Sequence, residues 1–338
     1  MPFDAFIGNR KLIERLRTKL REGRLPHGLI FAGPDGIGRR SCALMVAKAL
    51  NCLQAGLADF CDACSQCHKV NAGTHPDVLR VEVEEDASEI KIAQIRQVLQ
   101  MLDLRPFEGK NKIFIIDPAN AMNAAAANAL LKGLEEPPDN SFFILVATNL
   151  HELLLTVRSR CQVYQFTPVT LKELRGAGGA NTAEELVLRW SRGSIGLVRT
   201  LDPATLKQQR QFVLDFLETA VAADETDFRN LLAASADLAR SKQEFESHLD
   251  MIGVLLADLL YLNEGASEKL INIDIRAQLE RLAGKLPSER LIAISEFLKT
   301  MESSLKNYAN RQMLTDVLAL TANDAVWKIL HDNPGTSR

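Results

Sequence analysis

At 338 residues, the chain exceeds the usual size of one compact domain, so we expect two or three domains. Hydrophobic residues at 46% and charged residues at 25% are average for a soluble globular protein. The formal charge of −3, from 40 Lys and Arg against 43 Asp and Glu, excludes a nucleic-acid binder that relies on a strongly basic chain.

Charge is nevertheless unevenly distributed. Residues 9–24 are basic and residues 77–89 are acidic, and we interpret both runs as solvated surface. No apolar signal segment follows Met1, and no stretch approaches the ~20 apolar residues of a membrane-spanning helix. We therefore expect a cytoplasmic protein, in which the six cysteines are thiols or metal ligands before they are disulfides.

Short apolar runs alternate with helical patterns in the first half of the chain. A helix is predicted over residues 39–50, and Asn123 can cap a second helix that ends before Pro137. Strands that alternate with helices indicate a parallel α/β sheet covered on both faces. The apolar runs predict strands at residues 28–32, 77–83, 112–117, 141–148 and 162–166.

After Pro168 the strand patterns stop, and helical patterns continue to about residue 331. Glycines at 176, 178 and 179 mark a loop within a small helical region, and a hinge is predicted at residues 202–203. Amphipathic helices follow, among them residues 289–308 and 311–330. The predicted domains are an α/β core at 1–167, a helical lid at 168–202, an all-α domain at 203–332 and a disordered tail at 333–338.

A glycine-rich loop stands between the first predicted strand and the helix that follows it. The loop Gly33-Pro-Asp-Gly36-Ile-Gly38-Arg39-Arg40 has the strand–loop–helix context of a Walker A phosphate loop. In a working loop, backbone N–H groups bind the phosphates, a Lys contacts the β- and γ-phosphates, and a Ser or Thr hydroxyl binds Mg²⁺. Arg39 occupies the Lys position, and Arg40 occupies the hydroxyl position and cannot bind Mg²⁺. We predict a degenerate nucleotide site.

Two further positions depart from a working ATPase. Asp117 ends a predicted strand, where a carboxylate can hold Mg²⁺ through water, but Pro118 follows instead of a Glu that activates water. The segment 193–196 resembles the start of a sensor-2 helix, and Gly196 stands where an active protein carries an Arg. Hydrolysis of ATP by this chain is therefore not expected, whereas nucleotide binding without Mg²⁺ stays open.

Four cysteines follow the spacing C-x8-C-x2-C-x2-C, namely Cys52, Cys61, Cys64 and Cys67. Overlapping C-x-x-C steps predict a closed, structural zinc site in an insertion at residues 52–67. Two disulfides, a thioredoxin-like redox pair and an iron–sulfur cluster are weaker interpretations. His68 and His75 are spare ligand candidates, while we interpret Cys42 and Cys161 as buried small hydrophobic residues.

The segment Arg158-Ser159-Arg160-Cys161 lies between a helix and the last predicted strand. An Arg at a subunit edge can reach a neighbour's γ-phosphate and stabilise the transition state of phosphoryl transfer. Spacing alone, however, favours a plain surface ion pair.

Several segments resemble the clamp-loader AAA+ family of bacterial DNA polymerase III. Ser159-Arg160-Cys161 is similar to the family's Ser-Arg-Cys motif, whose Arg is a trans-acting finger. Thr148 resembles the sensor-1 position, and the cysteine tetrad resembles the family's zinc module. The resemblance spans the whole chain and is strongest over residues 24–168. Other matching segments are residues 6–9, 72–77, 128–138 and 307–314.

The resemblance implies a RecA-like parallel-sheet core with a zinc module, a small helical lid and a C-terminal helical collar. Active gamma/tau-type members keep the catalytic residues that this chain lacks, so the chain resembles the members that do not hydrolyse ATP. Arg160 would then enter the ATP site of a neighbouring gamma/tau-type subunit, within a ring of five that includes delta. Such a ring opens a sliding clamp and places it on primed DNA.

Two other functions stay open on the sequence alone. A gamma/tau-type ATPase would hydrolyse ATP as an isolated chain, which Arg39, Arg40 and Pro118 argue against. A zinc-stabilised nucleic-acid-binding module would bind DNA tightly and in a salt-sensitive manner. The net charge of −3 and the 6% aromatic content give that second alternative little support.

Overall fold

The computed structural model describes residues 3–54, 59–85, 87–176, 185–222, 228–240, 242–305, 310–323 and 326–327. The chain divides into two compact units. One comprises Met1–Ala183 and Ser191–Thr200, and the other comprises Glu184–Trp190 and Leu201–Arg338. The predicted domain boundaries at 167 and 202 describe a three-part division, and they stay predictions.

A five-stranded parallel sheet forms the centre of the first unit. Its order is β2-β3-β4-β1-β5, with every neighbouring pair parallel. The carboxyl ends of the strands meet at one edge, where ligands bind in open α/β sheets. The strands are β1 (Gly28–Ala32), β2 (Val78–Val81), β3 (Lys112–Ile116), β4 (Ser141–Ala147) and β5 (Gln162–Gln165).

Helices cover both faces of this sheet. The first unit contains α1 (Arg10–Arg21), α2 (Arg39–Asn51), α3 (Ser65–Ala72), α4 (Ile92–Leu102), α5 (Ala124–Glu135), α6 (Leu155–Arg158) and α7 (Leu171–Gly176). Next along the chain, α8 (Glu185–Trp190) belongs to the second unit and α9 (Ile195–Thr200) to the first.

Alternation along β1 explains why both faces are buried. Leu29 and Phe31 pack in a core that includes residues of α1, α2 and α3, while Ile30 and Ala32 pack in a second core with residues of α4 and α5. Successive side chains of a strand point to opposite faces, so an entirely apolar strand requires cover on both. The predicted α/β core is therefore confirmed.

The regular elements in the described residues of the second unit are all helices. Asp258 is fully buried and accepts hydrogen bonds from the backbone N–H groups of Ile271 and Asn272, which fixes the turn before α13. Besides α8, its helices are α10 (Pro203–Ala222), α11 (Phe228–Ala239), α12 (Lys242–Asn263), α13 (Arg276–Ala283), α14 (Ser288–Leu305) and α15 (Arg311–Ala322). The predicted all-α character of the C-terminal half is confirmed.

Some predicted bounds differ from the observed ones. The strand predicted at 77–83 spans only Val78–Val81, and Asp77 before it binds the loop before β3 through its carboxylate. The helix predicted at 311–330 ends at Ala322, where Asn323 takes extended geometry. The predicted loop glycines 178 and 179, the end of the helix predicted at 289–308, and the predicted tail at 333–338 lie outside the described residues. Among the described helices, none is both long and apolar enough to span a bilayer.

Candidate functional site

The glycine-rich loop joins β1 to α2 at the carboxyl edge of the sheet, as predicted. Gly36 and Gly38 have φ of 71° and 95°, in the left-handed region that favours glycine. A Cβ at Gly38 would approach the ring of Phe6 to 2.9 Å, so the N-terminal segment packs directly on the loop. Gly38 also accepts the first hydrogen bond of α2, from the N–H of Cys42 at 2.8 Å.

Arg39 folds back over this loop. Its Nη2 atom donates to Asp35 Oδ1 at 2.5 Å, across one turn of chain. The Arg39 side chain is 7% exposed and that of Asp35 is 84% exposed. The second amino group, Nη1, is buried and has no hydrogen-bond partner among the described residues. The residue at the lysine position is therefore a buried guanidinium in which Nη2 has a hydrogen-bond partner and Nη1 has none among the described residues.

Arg40 points to the neighbouring strands. Its Nη2 atom donates to Glu82, directly after β2, and its Nη1 atom lies 3.8 Å from Asp117 Oδ2, directly after β3. Burial raises the pKa of Asp117, and the nearby guanidinium groups of Arg40 and Arg39 oppose that rise without cancelling it. A guanidinium therefore stands between two carboxylates, at the position where the working motif holds a divalent cation.

A cavity of about 490 Å³ lies beside the glycine-rich loop. Thr148 follows β4, and its N–H donates to the side chain of Asn120 at 3.3 Å. Gly196 donates its N–H to the Gly36 carbonyl at 2.9 Å, so the start of α9 packs on the loop. The loop, Arg40, Asp117, Gly196 and also Arg199 line the cavity. The predicted nucleotide-site residues Gly36, Gly38, Arg39, Arg40 and Asp117 thus line one pocket, whereas Gly33 and Thr148 are not among its lining residues.

The four predicted cysteines also converge. Their Sγ atoms all lie within 4.8 Å of one another, and no other described group of His, Cys, Asp and Glu forms such a cluster. Tetrahedral zinc with Zn–S bonds of about 2.3 Å requires sulfur pairs about 3.8 Å apart. The Cys52–Cys61 and Cys52–Cys64 pairs stand at 3.5 and 4.0 Å. Geometry and donor type fit a metal ion with four thiolate ligands.

Backbone hydrogen bonds prepare the thiolates for a cation. The N–H of Cys61 donates to Cys52 Sγ, and the N–H of Cys64 donates to Cys61 Sγ, each at 3.3 Å. Burial raises the pKa of Cys64, but backbone hydrogen bonds at Leu53 and Cys67 outweigh burial and lower this pKa to about 6. Within the cluster, ionisation is therefore favoured at Cys64, whereas burial and the neighbouring thiols raise the pKa of Cys67.

Side chains around the cluster fix its loop. The buried ammonium of Lys48 donates to Asp62 Oδ1 at 2.7 Å and lies 4.1 Å from the ring centroid of Phe60. Neither spare histidine belongs to the ligand cluster. His75 contacts the side chain of Gln66 and accepts the N–H of Asp77 at 3.0 Å, so it has a structural role.

Arg160 lies at the surface after α6. Its Nη2 atom is 2.6 Å from Glu135 Oε1, at the end of α5, and Nη1 donates to the Thr156 carbonyl at 3.0 Å and to Ser159 Oγ at 3.3 Å. The Arg160 and Glu135 side chains are 35% and 48% exposed. The neighbouring Cys161 packs near Gly28, and burial raises its pKa to about 12. The guanidinium is thus accessible and engaged with its own chain.

Three residues of these sites are not identified by the sequence patterns: Glu82, Arg199 and Glu135. Glu82 falls inside a predicted strand, and only the observed end of β2 moves it to the sheet edge. Arg199 is three residues beyond Gly196, a helical spacing that places both on one face and that a search of the predicted sensor-2 helix would find. No local signal pairs Glu135 with Arg160, because they are brought together by packing of α5 against α6.

Family models and individual relatives of known function agree on one protein family. A family described as "DNA polymerase III, delta subunit" matches residues 8–170, and its "C terminal" counterpart matches residues 204–321. DNA polymerase III subunit delta′ of Pseudomonas aeruginosa is 31% identical over 316 residues, which cover 90% of this chain and 92% of that protein. The delta′ subunit of Escherichia coli K12 is 30% identical over 314 residues, 90% of this chain and 91% of that protein.

Similarity to tau subunits is more limited. DNA polymerase III subunit tau of Bacillus subtilis is 33% identical over 174 residues, which span 52% of this chain and 30% of that protein. Similarity to the delta′ subunits therefore extends over most of the chain, and similarity to tau covers about half of it.

Proposed function

Because the chain belongs to the family of DNA polymerase III delta′ subunits, we propose that it is a clamp-loader subunit that does not hydrolyse ATP. In this proposal it assembles with gamma/tau-type and delta subunits into a pentamer. The pentamer loads the sliding clamp onto primed DNA in an ATP-dependent reaction, and this chain acts in the cytoplasm. The alternative of a gamma/tau-type ATPase is not favoured, because tau matches only about half of the chain.

One observation carries the proposal that the chain does not hydrolyse ATP. The guanidinium of Arg40 stands between Glu82 and Asp117, where hydrolysis requires a hydroxyl and a divalent cation. Next to Asp117, Pro118 has no group that can accept a proton from water. The fold therefore keeps the form of a nucleotide pocket while its hydrolytic groups are replaced.

The role we propose for Arg160 is that of a finger that acts in a neighbouring subunit. In support, its guanidinium is partly exposed, and its ion pair with Glu135 is of the surface type, worth about 0–1 kcal/mol. Exchange of that carboxylate for a neighbour's γ-phosphate is therefore inexpensive. Ser159 supports the guanidinium in the isolated chain, and Cys161 anchors the segment against β1.

The cysteine tetrad is proposed to bind one structural zinc ion. Four sulfur ligands complete a tetrahedral shell, so no coordination position remains for a water molecule. Such an ion would join the end of α2 to the loop before α3 and would take no part in hydrolysis.

The finger is tested by Arg160→Ala in the complex reconstituted from this chain with gamma/tau-type and delta subunits. A trans arginine raises the hydrolysis rate at its site by about 10³-fold or more. The ATPase rate and clamp loading of the complex should therefore fall by the fraction of turnover that this one site provides. Arg158→Ala, in the same segment, is the matched control and should retain wild-type rates. Wild-type rates with Arg160→Ala, or equal losses in both variants, would remove this role from Arg160.

A further inference from the structure

A row of three cationic side chains follows the solvent side of α1. Lys11, Arg15 and Lys19 succeed one another at intervals of four residues, which places them on one side of the helix, about 6 Å apart along its axis. Lys11 and Arg15 are exposed, and Lys19 is half-buried. These three side chains form the cationic ridge of α1.

The carboxylates beside α1 are engaged with other arginines. Three of them lie 2.8, 3.3 and 3.5 Å from Arg17, and a fourth lies 3.8 Å from Arg24. In that order, the four carboxylates are Asp4, Glu14, Asp59 and Glu22. No member of the cationic ridge forms an ion pair with a described residue. The basic run at residues 9–24 reads as solvated surface from the sequence alone, and the fold adds that its acidic partners gather away from the ridge.

The ridge keeps its charges in a fixed arrangement. Like charges four residues apart on a helix repel each other, and the ridge contains two such pairs. The helix tolerates this repulsion because Ile13, Leu16 and Leu20, on its other face, are buried in the core of the first unit. The Arg15 guanidinium also lies over the ring of Tyr164, 5.5 Å from its centroid. A polyanion that bridged the three cations would relieve their repulsion.

The surroundings of the ridge favour a duplex nucleic acid among polyanions. None of the large apolar residues of α1, a helix that the structure describes in full, is exposed, so the helix has no face to insert into a membrane. The helix also contains no aromatic residue on which the bases of a single strand could stack. A duplex instead presents closely spaced phosphates in fixed geometry, which a rigid row of cations can match.

We propose that the cationic ridge of α1 binds the phosphate backbone of double-stranded DNA without reading its sequence. Only the choice of DNA as the polyanion rests on the proposed function, and the ridge is independent of Arg160 and of the glycine-rich loop. Lysine and arginine contacts to phosphates position a protein on a duplex and carry no sequence information themselves. The net charge of −3 is compatible with this binding, because charges more than about 10 Å away are largely screened at 0.1 M salt.

Fluorescence anisotropy of a short labelled DNA duplex, titrated with the purified full chain at several salt concentrations, tests the proposal. At low salt the Kd should be about 10⁻⁵ M, and log K should fall with log salt with a slope of about −3, one for each cation of the ridge. Absence of binding at about 10⁻⁴ M chain, or a slope near zero, would overturn the proposal. Tighter binding of a single strand of the same length, or of phosphatidylserine–phosphatidylcholine vesicles, would also contradict it.

Two variants assign the binding to the ridge. The ridge variant carries Lys11→Gln, Arg15→Gln and Lys19→Gln. The control variant removes three exposed cations of the second unit through Arg281→Gln, Lys285→Gln and Lys299→Gln. The ridge variant should bind the duplex about tenfold or more weakly with a slope close to zero, and the control should stay within about twofold of wild type.

Both variants lose the same net charge, so they separate a local site from the charge of the whole chain. Equal losses of affinity in the two variants, or an unchanged Kd in the ridge variant, would remove the role of the ridge. Circular dichroism establishes that both variants are folded. These titrations need no partner subunit, so their failure would leave the proposed function, which the reconstituted complex tests, unaffected.

Discussion

The two arginines of the phosphate loop differ from the lysine and hydroxyl of a working loop in shape as well as chemistry. A lysine ammonium is a compact charge, whereas a guanidinium is a planar fork that pairs with carboxylates. Arg39 and Arg40 accordingly form ion pairs with Asp35 and Glu82. The replacements were readable from the motif. The partner of Arg40 was not, because Glu82 is separated from Arg40 by 42 positions.

In the isolated chain, Glu135 forms the ion pair with Arg160, the proposed finger. Substitution of Glu135 tests whether this ion pair matters for ATP hydrolysis in the complex. Glu135→Gln removes a half-exposed ion pair, so the free energy of unfolding should change by less than about 1 kcal/mol. In the reconstituted complex, the ATPase rate should stay at or above the wild-type rate, because the carboxylate competes with a phosphate for Arg160. Urea denaturation and steady-state phosphate release measure the two quantities. A loss as large as that of Arg160→Ala would mean that Glu135 positions the finger.

At the scale of elements, a buried carboxylate organises the loop between α4 and β3. Asp77 is 1% exposed and accepts the N–H groups of Phe107, Glu108 and Gly109 at 2.7, 2.9 and 2.8 Å. Burial raises the pKa of Asp77, but these three donors outweigh burial and hold the pKa below its usual value. Asn51 fixes the next part of the loop by accepting the N–H of Asn111 at 2.8 Å.

Asp77→Asn should destabilise the protein by about 3 kcal/mol at neutral pH, because an amide presents donors to backbone donors and carries no charge. The folded pKa of Asp77 is lower than the unfolded value of about 3.9, so the carboxylate stabilises the fold above that pH. Its contribution is lost as pH falls through the folded pKa. The difference between wild type and variant in urea denaturation should therefore shrink below about pH 4. A difference that is constant from pH 7 to pH 3 would contradict this account.

The cysteine cluster links α2 to α3, so loss of its ion should act on that pair of elements first. Protein purified without chelator should contain about one zinc per chain, and Cys64→Ser should lose it, whereas Cys161→Ser, outside the cluster, should retain it. Chelation should lower the melting temperature and increase hydrogen exchange in α3, since metal binding contributes folding free energy. Elemental analysis, thermal melts and hydrogen exchange provide the readouts. Zinc-free protein under those conditions would remove the assignment.

Elements were predictable where one local rule dominates. The apolar run of β3 and the Asn123 cap, whose side chain accepts the N–H of Ala126, follow from composition and short spacing. The start of β2 was not predictable, because Asp77 is bound by a loop about thirty residues away. Contacts of that kind depend on tertiary packing and leave no periodic signal.

In the whole molecule, the α/β unit and the helical unit correspond to two sequence patterns. Strand and helix patterns alternate before Pro168, and helical patterns alone follow it. Cysteine spacing and the strand–loop–helix context predicted both clusters of the candidate sites, because short sequence separations determine their geometry. The sheet edge collects residues from separate strands, so the membership of Glu82 became visible only in the fold.

The central claim concerns hydrolysis, and ATP turnover by the purified, isolated chain tests it most directly. Phosphate release in Mg²⁺ should equal that of a buffer blank and of an Asp117→Ala variant. The described residues at the sheet edge do not together supply a divalent-cation site and a base that activates water. Sustained, Mg²⁺-dependent turnover that scales with wild-type chain concentration and is lost in Asp117→Ala would contradict the account.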